Sequence, residues 1–221
     1  MKAVLYVHGK GGNAGECERY KELFPEWEVT GLDYKGFTPW ETGAEIREAV
    51  LALRERAEKP LLKERSEEPL LIERPEEPLL IANSIGAYFA MHAGIDGLIS
   101  RAYFISPVVD MEALITGMMR AEGVCEDELR ERGVIPTAFG EDLSWEYLSY
   151  VRSHPVKWDA PTRILYGSLD AMTPYETVRA FAEEHGAALT VMEGGEHWFH
   201  TEEQMRFLDR WISAGEVDAR G

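Results

Sequence analysis

Residues 79–89 read LLIANSIGAYF, and the reading of this stretch decides the fold. Leu79, Leu80 and Ile81 form an apolar run that predicts a short buried strand, while Ala87, Tyr88, Phe89, Ala90 and Met91 continue as a packed helix. Ser84 therefore falls on the turn between them. A sharp strand-to-helix turn lifts a hydroxyl clear of the sheet and aims the first amides of the helix at whatever binds there. The two backbones nearly touch across such a turn, so only small side chains fit two residues before and after the serine, where Ala82 and Gly86 stand. An S-x-G corner also occurs as an ordinary serine N-cap, so the rest of the chain decides its meaning.

Toward the amino terminus, Ala3 to Val7 is a near-continuous apolar run, the pattern of a central strand, and it ends in His8-Gly9-Lys10-Gly11-Gly12 before a polar helical stretch up to Phe24. Val29 to Asp33 reads as a second strand. Ile46, Ala49, Val50 and Leu53 then give Trp40 to Arg56 a helical spacing. Toward the carboxyl terminus, Arg101 to Val109 reads as another strand with Asp110 at its end. Residues 111–158 read as amphipathic helices, and strands follow at Thr162 to Gly167 and Leu189 to Met192, with a closing helix from Thr201 to Ile212. Strand and helix alternate, which predicts one α/β domain over residues 1–221: a doubly wound, mostly parallel six-stranded sheet with helices on both faces, in spatial order two, one, three, four, five, six.

Residues 58–84 hold three successive nonapeptides, EKPLLKERS, EEPLLIERP and EEPLLIANS. An odd period places successive Leu-Leu pairs on opposite sides of a strand or helix, so the copies build no common face. Only the third is joined to the corner at Ser84. Residues 58–75 are accordingly expected to form an excursion without a chemical role.

The 40 acidic against 23 basic residues of the 221-residue chain give a net charge of −17, which repels phosphate backbones and anionic lipid. The expected partner is a small molecule, neither nucleic acid nor membrane. Cys17 and Cys125 have no framework spacing and argue for a reducing compartment. The five apolar residues before His8 are too few for a signal-peptide core, so a cytoplasmic location is expected.

The loop after the first strand has two readings. Gly9, Gly11 and Ala14 fit G-x-G-x-x-A, with Asp33 ending the next strand, the outline of a nicotinamide-dinucleotide site. Alternatively, the glycines after His8 let backbone amides turn inward around a negative oxygen, with His8 bracing the loop. The second reading gains from what lies downstream. Ser84, Asp170 and His197 each follow a predicted strand, and in a parallel sheet such loops share one edge. A serine hydroxyl needs a histidine to take its proton, and the imidazole needs a carboxylate to hold its tautomer. Asp110 is the rival acid. His200, three residues after His197, has no evident third ligand to complete a metal site, and His92, His154 and His185 lie in no motif.

From Ala3 to Ile212 the chain resembles a small α/β-hydrolase lacking the first two strands of larger members. The resemblance rests on the Ser84 elbow, the His-Gly-x-Gly-Gly loop, Gly-Ser-Leu-Asp ending at Asp170 and Gly-Gly-Glu-His ending at His197. Ala82 replaces the usual first glycine of the elbow. It implies a serine hydrolase without metal or cofactor, acting on a small, partly apolar ester or thioester. Ser84 would be the nucleophile, Asp170 and His197 its partners, and the amides of Lys10 and Ile85 the oxyanion hole. Residues 111–158 would be a lid, presenting Met118, Met119, Trp145 and Tyr147 to substrate. Two other readings stand beside it: the dinucleotide-dependent enzyme, and a binding protein that keeps the fold without turnover.

Overall fold

The computed structural model describes residues 2–63, 77–138 and 140–218. Its strands are β1 (Ala3–Val7), β2 (Glu28–Gly31), β3 (Leu79–Asn83), β4 (Arg101–Ile105), β5 (Val134–Ile135), β6 (Leu143–Ser144), β7 (Thr162–Gly167) and β8 (Ala188–Met192). The helices are α1 (Glu18–Leu23), α2 (Pro39–Lys63), α3 (Ile85–Met91), α4 (Met111–Glu122), α5 (Glu126–Arg132), α6 (Trp145–Ser153), α7 (Tyr175–Glu184) and α8 (Glu202–Asp218). The main sheet has six strands in the order β2, β1, β3, β4, β7, β8, the order expected from the sequence. Every pairing in it is parallel.

The apolar character of β1 follows from its place in the middle layer. Ala3, Leu5 and Val7 enter one core with Ile46, Val50 and Leu53 of α2 and Ala87 and Phe89 of α3. Val4 and Tyr6 enter the other, with Tyr20 of α1 and Leu208, Trp211 and Ile212 of α8. Alternate side chains thus feed opposite faces, and each fully buried aliphatic contributes about 1.5–3 kcal/mol.

Several boundaries differ from those read in the sequence. The strand expected over residues 101–109 stops at Ile105, because Ser106 turns the backbone to φ 43° and Pro107 has no amide to continue the ladder. Val108 and Val109 are buried all the same, in loop rather than strand. Helix α2 runs on to Lys63, taking up the first six residues of the nonapeptide segment; residues 64–76 lie outside the described residues. Residues 111–158 carry α4, α5 and α6 and also a small antiparallel pair, β5 with β6, too short to show a period in sequence. Among the described residues no helix is long and apolar enough to cross a membrane.

At the end of β3 the backbone takes φ 51° and ψ −120° at Ser84, a conformation costly for a residue with a side chain. The corner closes because Gly86 packs against β1: a Cβ there would overlap the carbonyl oxygen of His8 and sit 2.9 Å from that of Val7. Gly86→Ala is therefore expected to destabilise the protein by about 1–3 kcal/mol through overpacking against backbone that cannot retreat. Urea unfolding checks this.

An aromatic cluster fastens α6 to the layer of α2 and α3. Trp40 meets Tyr147 (5.7 Å between centroids) and Tyr150 (4.6 Å), while His92 lies against Tyr88 (4.6 Å) and Tyr150 (5.8 Å). Burial, helped by the nearby His154, pushes the His92 imidazole down to about 4. The unfolded chain then binds this proton first as pH falls. The stabilising contribution is complete above the ordinary histidine value of about 6.5 and is lost as the pH drops toward about 4. Replacing the imidazole with the non-titrating ring of His92→Phe should flatten the fall in stability across that window, as read by urea unfolding at several pH values.

Candidate active site

The ends of β3, β7 and β8 bring three side chains into one line. Ser84 Oγ lies 2.9 Å from His197 Nε2, and His197 Nδ1 lies 2.7 Å from Asp170 Oδ2. The Asp170 side chain is fully buried and that of His197 is 18% exposed. The other carboxylate oxygen, Oδ1, accepts the amides of Met172 (2.8 Å) and Thr173 (3.1 Å). Since a carboxylate only accepts, Nδ1 carries the proton, and Nε2 is left as an acceptor for the serine hydroxyl.

Backbone contacts hold the three loops in place. At the elbow the Ser84 amide donates to the Ile105 carbonyl (2.9 Å), and the Val108 amide donates to the Ser84 carbonyl (3.2 Å). The loops after β7 and β8 touch without side chains between them, since a Cβ on Gly167 would overlap the Gly195 carbonyl. They are laced by Ser168 N–H to Met192 O (3.0 Å), Leu169 N–H to Gly195 O (2.7 Å) and Gly194 N–H to Ser168 Oγ (2.8 Å).

The glycine loop passes over the serine. A Cβ on Gly9 would lie 3.1 Å from Ser84 Cβ. The Gly12 amide closes a turn onto the Gly9 carbonyl (3.2 Å), with Gly11 at φ 74°, so the Lys10 amide is not used by the turn. Ile85 is the first residue of α3, and its amide has no acceptor within the helix. His8 stacks on Tyr34 at 4.2 Å, and its Nδ1 lies 2.8 Å from the Gly9 carbonyl, so it braces the loop. The Lys10 ammonium pairs with Glu141, which stands between β5 and β6. Asp33 is exposed and paired with Lys35 at 2.7 Å, which holds its carboxyl below the usual range.

The remaining candidates lie elsewhere. Asp110 caps α4, accepting the Ala113 amide at 2.8 Å. His200 Nδ1 faces the Trp198 carbonyl at 2.7 Å, and among the described residues no three His, Cys, Asp or Glu side chains are grouped as a metal site. Of the four residues expected from the sequence to face a substrate, Met118 lines a cleft of about 410 Å³ between α4 and the loop after Asp170. Met119 is buried in the core, Trp145 lies under the Arg130 guanidinium (4.7 Å), and Tyr147 belongs to the aromatic cluster on Trp40. The other walls of the cleft, including Ala113, Leu114, Gly117, Met172 and Thr173, went unnoticed in the sequence. The four-residue spacing of Ala113, Gly117 and Ala121 was the available signal.

The sequence matches no family model and no curated protein. Solved structures do match: Est1E from Butyrivibrio proteoclasticus has a TM-score of 0.67 at 17% identity, covering 98% of this chain and 87% of that one. The fold is that of the α/β hydrolases. Mouse α/β hydrolase domain-containing protein 10 shares it (TM-score 0.65, 16% identity, 99% of this chain and 90% of that one). So does a thermophilic esterase from Thermogutta terrifontis (TM-score 0.59, 18% identity, 99% and 83%). Within the α/β-hydrolase fold of this chain, Ser84, Asp170 and His197 follow the carboxyl ends of β3, β7 and β8, and the helices of residues 111–158 are inserted between β4 and β7.

Proposed function

We propose that this chain is a serine hydrolase that cleaves a small, partly apolar carboxylic ester or thioester through an acyl-enzyme on Ser84, without metal or cofactor. The observation that carries this reading is the hydrogen-bonded line from Ser84 Oγ through His197 to the buried Asp170. In the proposed reaction His197 Nε2 takes the hydroxyl proton as Ser84 Oγ attacks the substrate carbonyl, and Asp170 stabilises the imidazolium that forms. The amides of Ile85 and Lys10 receive the developing oxyanion. His197 then gives its proton to the leaving alcohol or thiol, and a water activated by the same imidazole releases the acid.

Two contacts weigh against a dinucleotide in the glycine loop. Gly9 lies over Ser84, and the Asp33 carboxylate expected to bind a ribose is engaged with Lys35. The net charge of −17 supports a small-molecule substrate over a nucleic acid or an anionic membrane, and the free thiols of Cys17 and Cys125 support a cytoplasmic setting.

A fluorophosphonate probe is expected to label Ser84 in the intact protein. Ser84→Ala and His197→Ala should each lower turnover of p-nitrophenyl acetate by roughly 10⁴-fold or more, and the double variant little further, because groups acting as one unit are not additive. Asp110→Asn should keep most of the activity. Retained turnover in Ser84→Ala, or a tight NADH titration by fluorescence, would overturn the reading.

A further inference from the structure

Wall residues of the cleft beside α4 are hydrogen-bonded to the proposed catalytic machinery. Val108, on one side, donates its amide to the Ser84 carbonyl, and Met172 and Thr173, on the other, donate theirs to Asp170. Most of the lining is apolar, and Met172, a large apolar side chain of this wall, is 52% exposed. An exposed methionine beside reacting groups is surface that a bound apolar group would cover.

The sequence of α4 keeps this space open. Gly117 stands in the interior of α4, where glycine is less favourable than alanine, yet neither a left-handed backbone nor a close neighbour requires it. A Cβ there would meet nothing within 4 Å. What glycine provides is depth, with Ala113 and Ala121 one turn away on either side extending the same shallow trough. Among the described residues Asp110 is the one ionisable residue of the lining, so the cleft disfavours a carboxylate.

We propose that this cleft receives an uncharged apolar group of the ester, longer than acetyl, and that Gly117 sets the length it accepts. The assignment rests on the hydrolase reading for its chemistry, but the cleft can be tested apart from it. Leucine at position 117 extends into open space and favours the helix, so Gly117→Leu should fold with an unfolding midpoint no lower than that of the parent.

The kcat/KM ratio of p-nitrophenyl hexanoate to p-nitrophenyl acetate reports on the acyl half of the substrate, and that of hexyl to ethyl acetate reports on the alcohol half. Gly117→Leu is expected to lower one of these ratios by about tenfold or more, and the arm that moves identifies which half occupies the cleft. Where the acyl arm moves, the mono-p-nitrophenyl ester of adipic acid should be a poorer substrate than the hexanoate, and Asp110→Asn should narrow that gap. A folded Gly117→Leu protein with both ratios unchanged, while turnover still depends on Ser84, overturns the cleft assignment and leaves the hydrolase reading intact. Calorimetric binding of 1-hexanol to Ser84→Ala, lost in Ser84→Ala/Gly117→Leu, supports the cleft even where the parent cleaves no ester. Absence of 1-hexanol binding in Ser84→Ala counts against it.

Discussion

The carbonyl oxygens of Val7 and His8 approach Gly86 so closely that no side chain could stand there, and this contact fixes the corner at Ser84. A backbone at φ 51° costs about 1–3 kcal/mol for a residue other than glycine, so it persists only where its surroundings over-determine it. Three constraints do so here: the packing of α3 onto β1, the Ser84 amide on Ile105, and the Val108 amide on the Ser84 carbonyl. The consequence is positional. Ser84 stands at the sheet edge against the glycine loop, its hydroxyl on His197, and α3 begins at the next residue.

Asp170 and His197 are held by a different principle. Gly167 and Gly195 let two loops meet backbone to backbone, and the amide bonds between them make the ends of β7 and β8 one unit. A buried carboxylate is costly unless its lone pairs are used. Asp170 commits one oxygen to two amides of its own turn and the other to His197, so its orientation is fixed by the fold. With β4 lying between the serine strand and this unit, the alignment of the three side chains depends on parallel register across three pairings.

The strand order and the three aligned residues were legible because both arise from local signals that the parallel topology assembles. Apolar runs such as Leu79 to Ile81 mark buried strands, and a chemistry-bearing residue directly after each run must fall on one edge. The end of β4 was not legible, since Val108 and Val109 continue the apolar character of the strand although Ser106 has already turned the chain. Three of the four side chains singled out within residues 111–158 lie away from the cleft for another reason. Consecutive residues on a helix point about 100° apart. Met119 shares the core stripe of Met111 and Ile115, which sends its neighbour Met118 to the cleft. The same phase places Gly117 there, yet a residue without a side chain leaves no hydrophobic pattern to read. Tyr147 and Trp145 are held by rings and a guanidinium from distant parts of the chain, which no local spacing announces.

The inserted helices leave the sheet after β4 and return at β7, and these two strands are hydrogen-bonded neighbours. Entry and exit are therefore anchored side by side by the ladder itself, whatever the length of chain between them, and lengthening such a loop costs free energy only logarithmically. The insertion behaves as a cassette clipped into the scaffold. Descendants of this sequence can exchange, enlarge or trim it, while the strands beneath keep the alignment of Ser84, His197 and Asp170 unaltered.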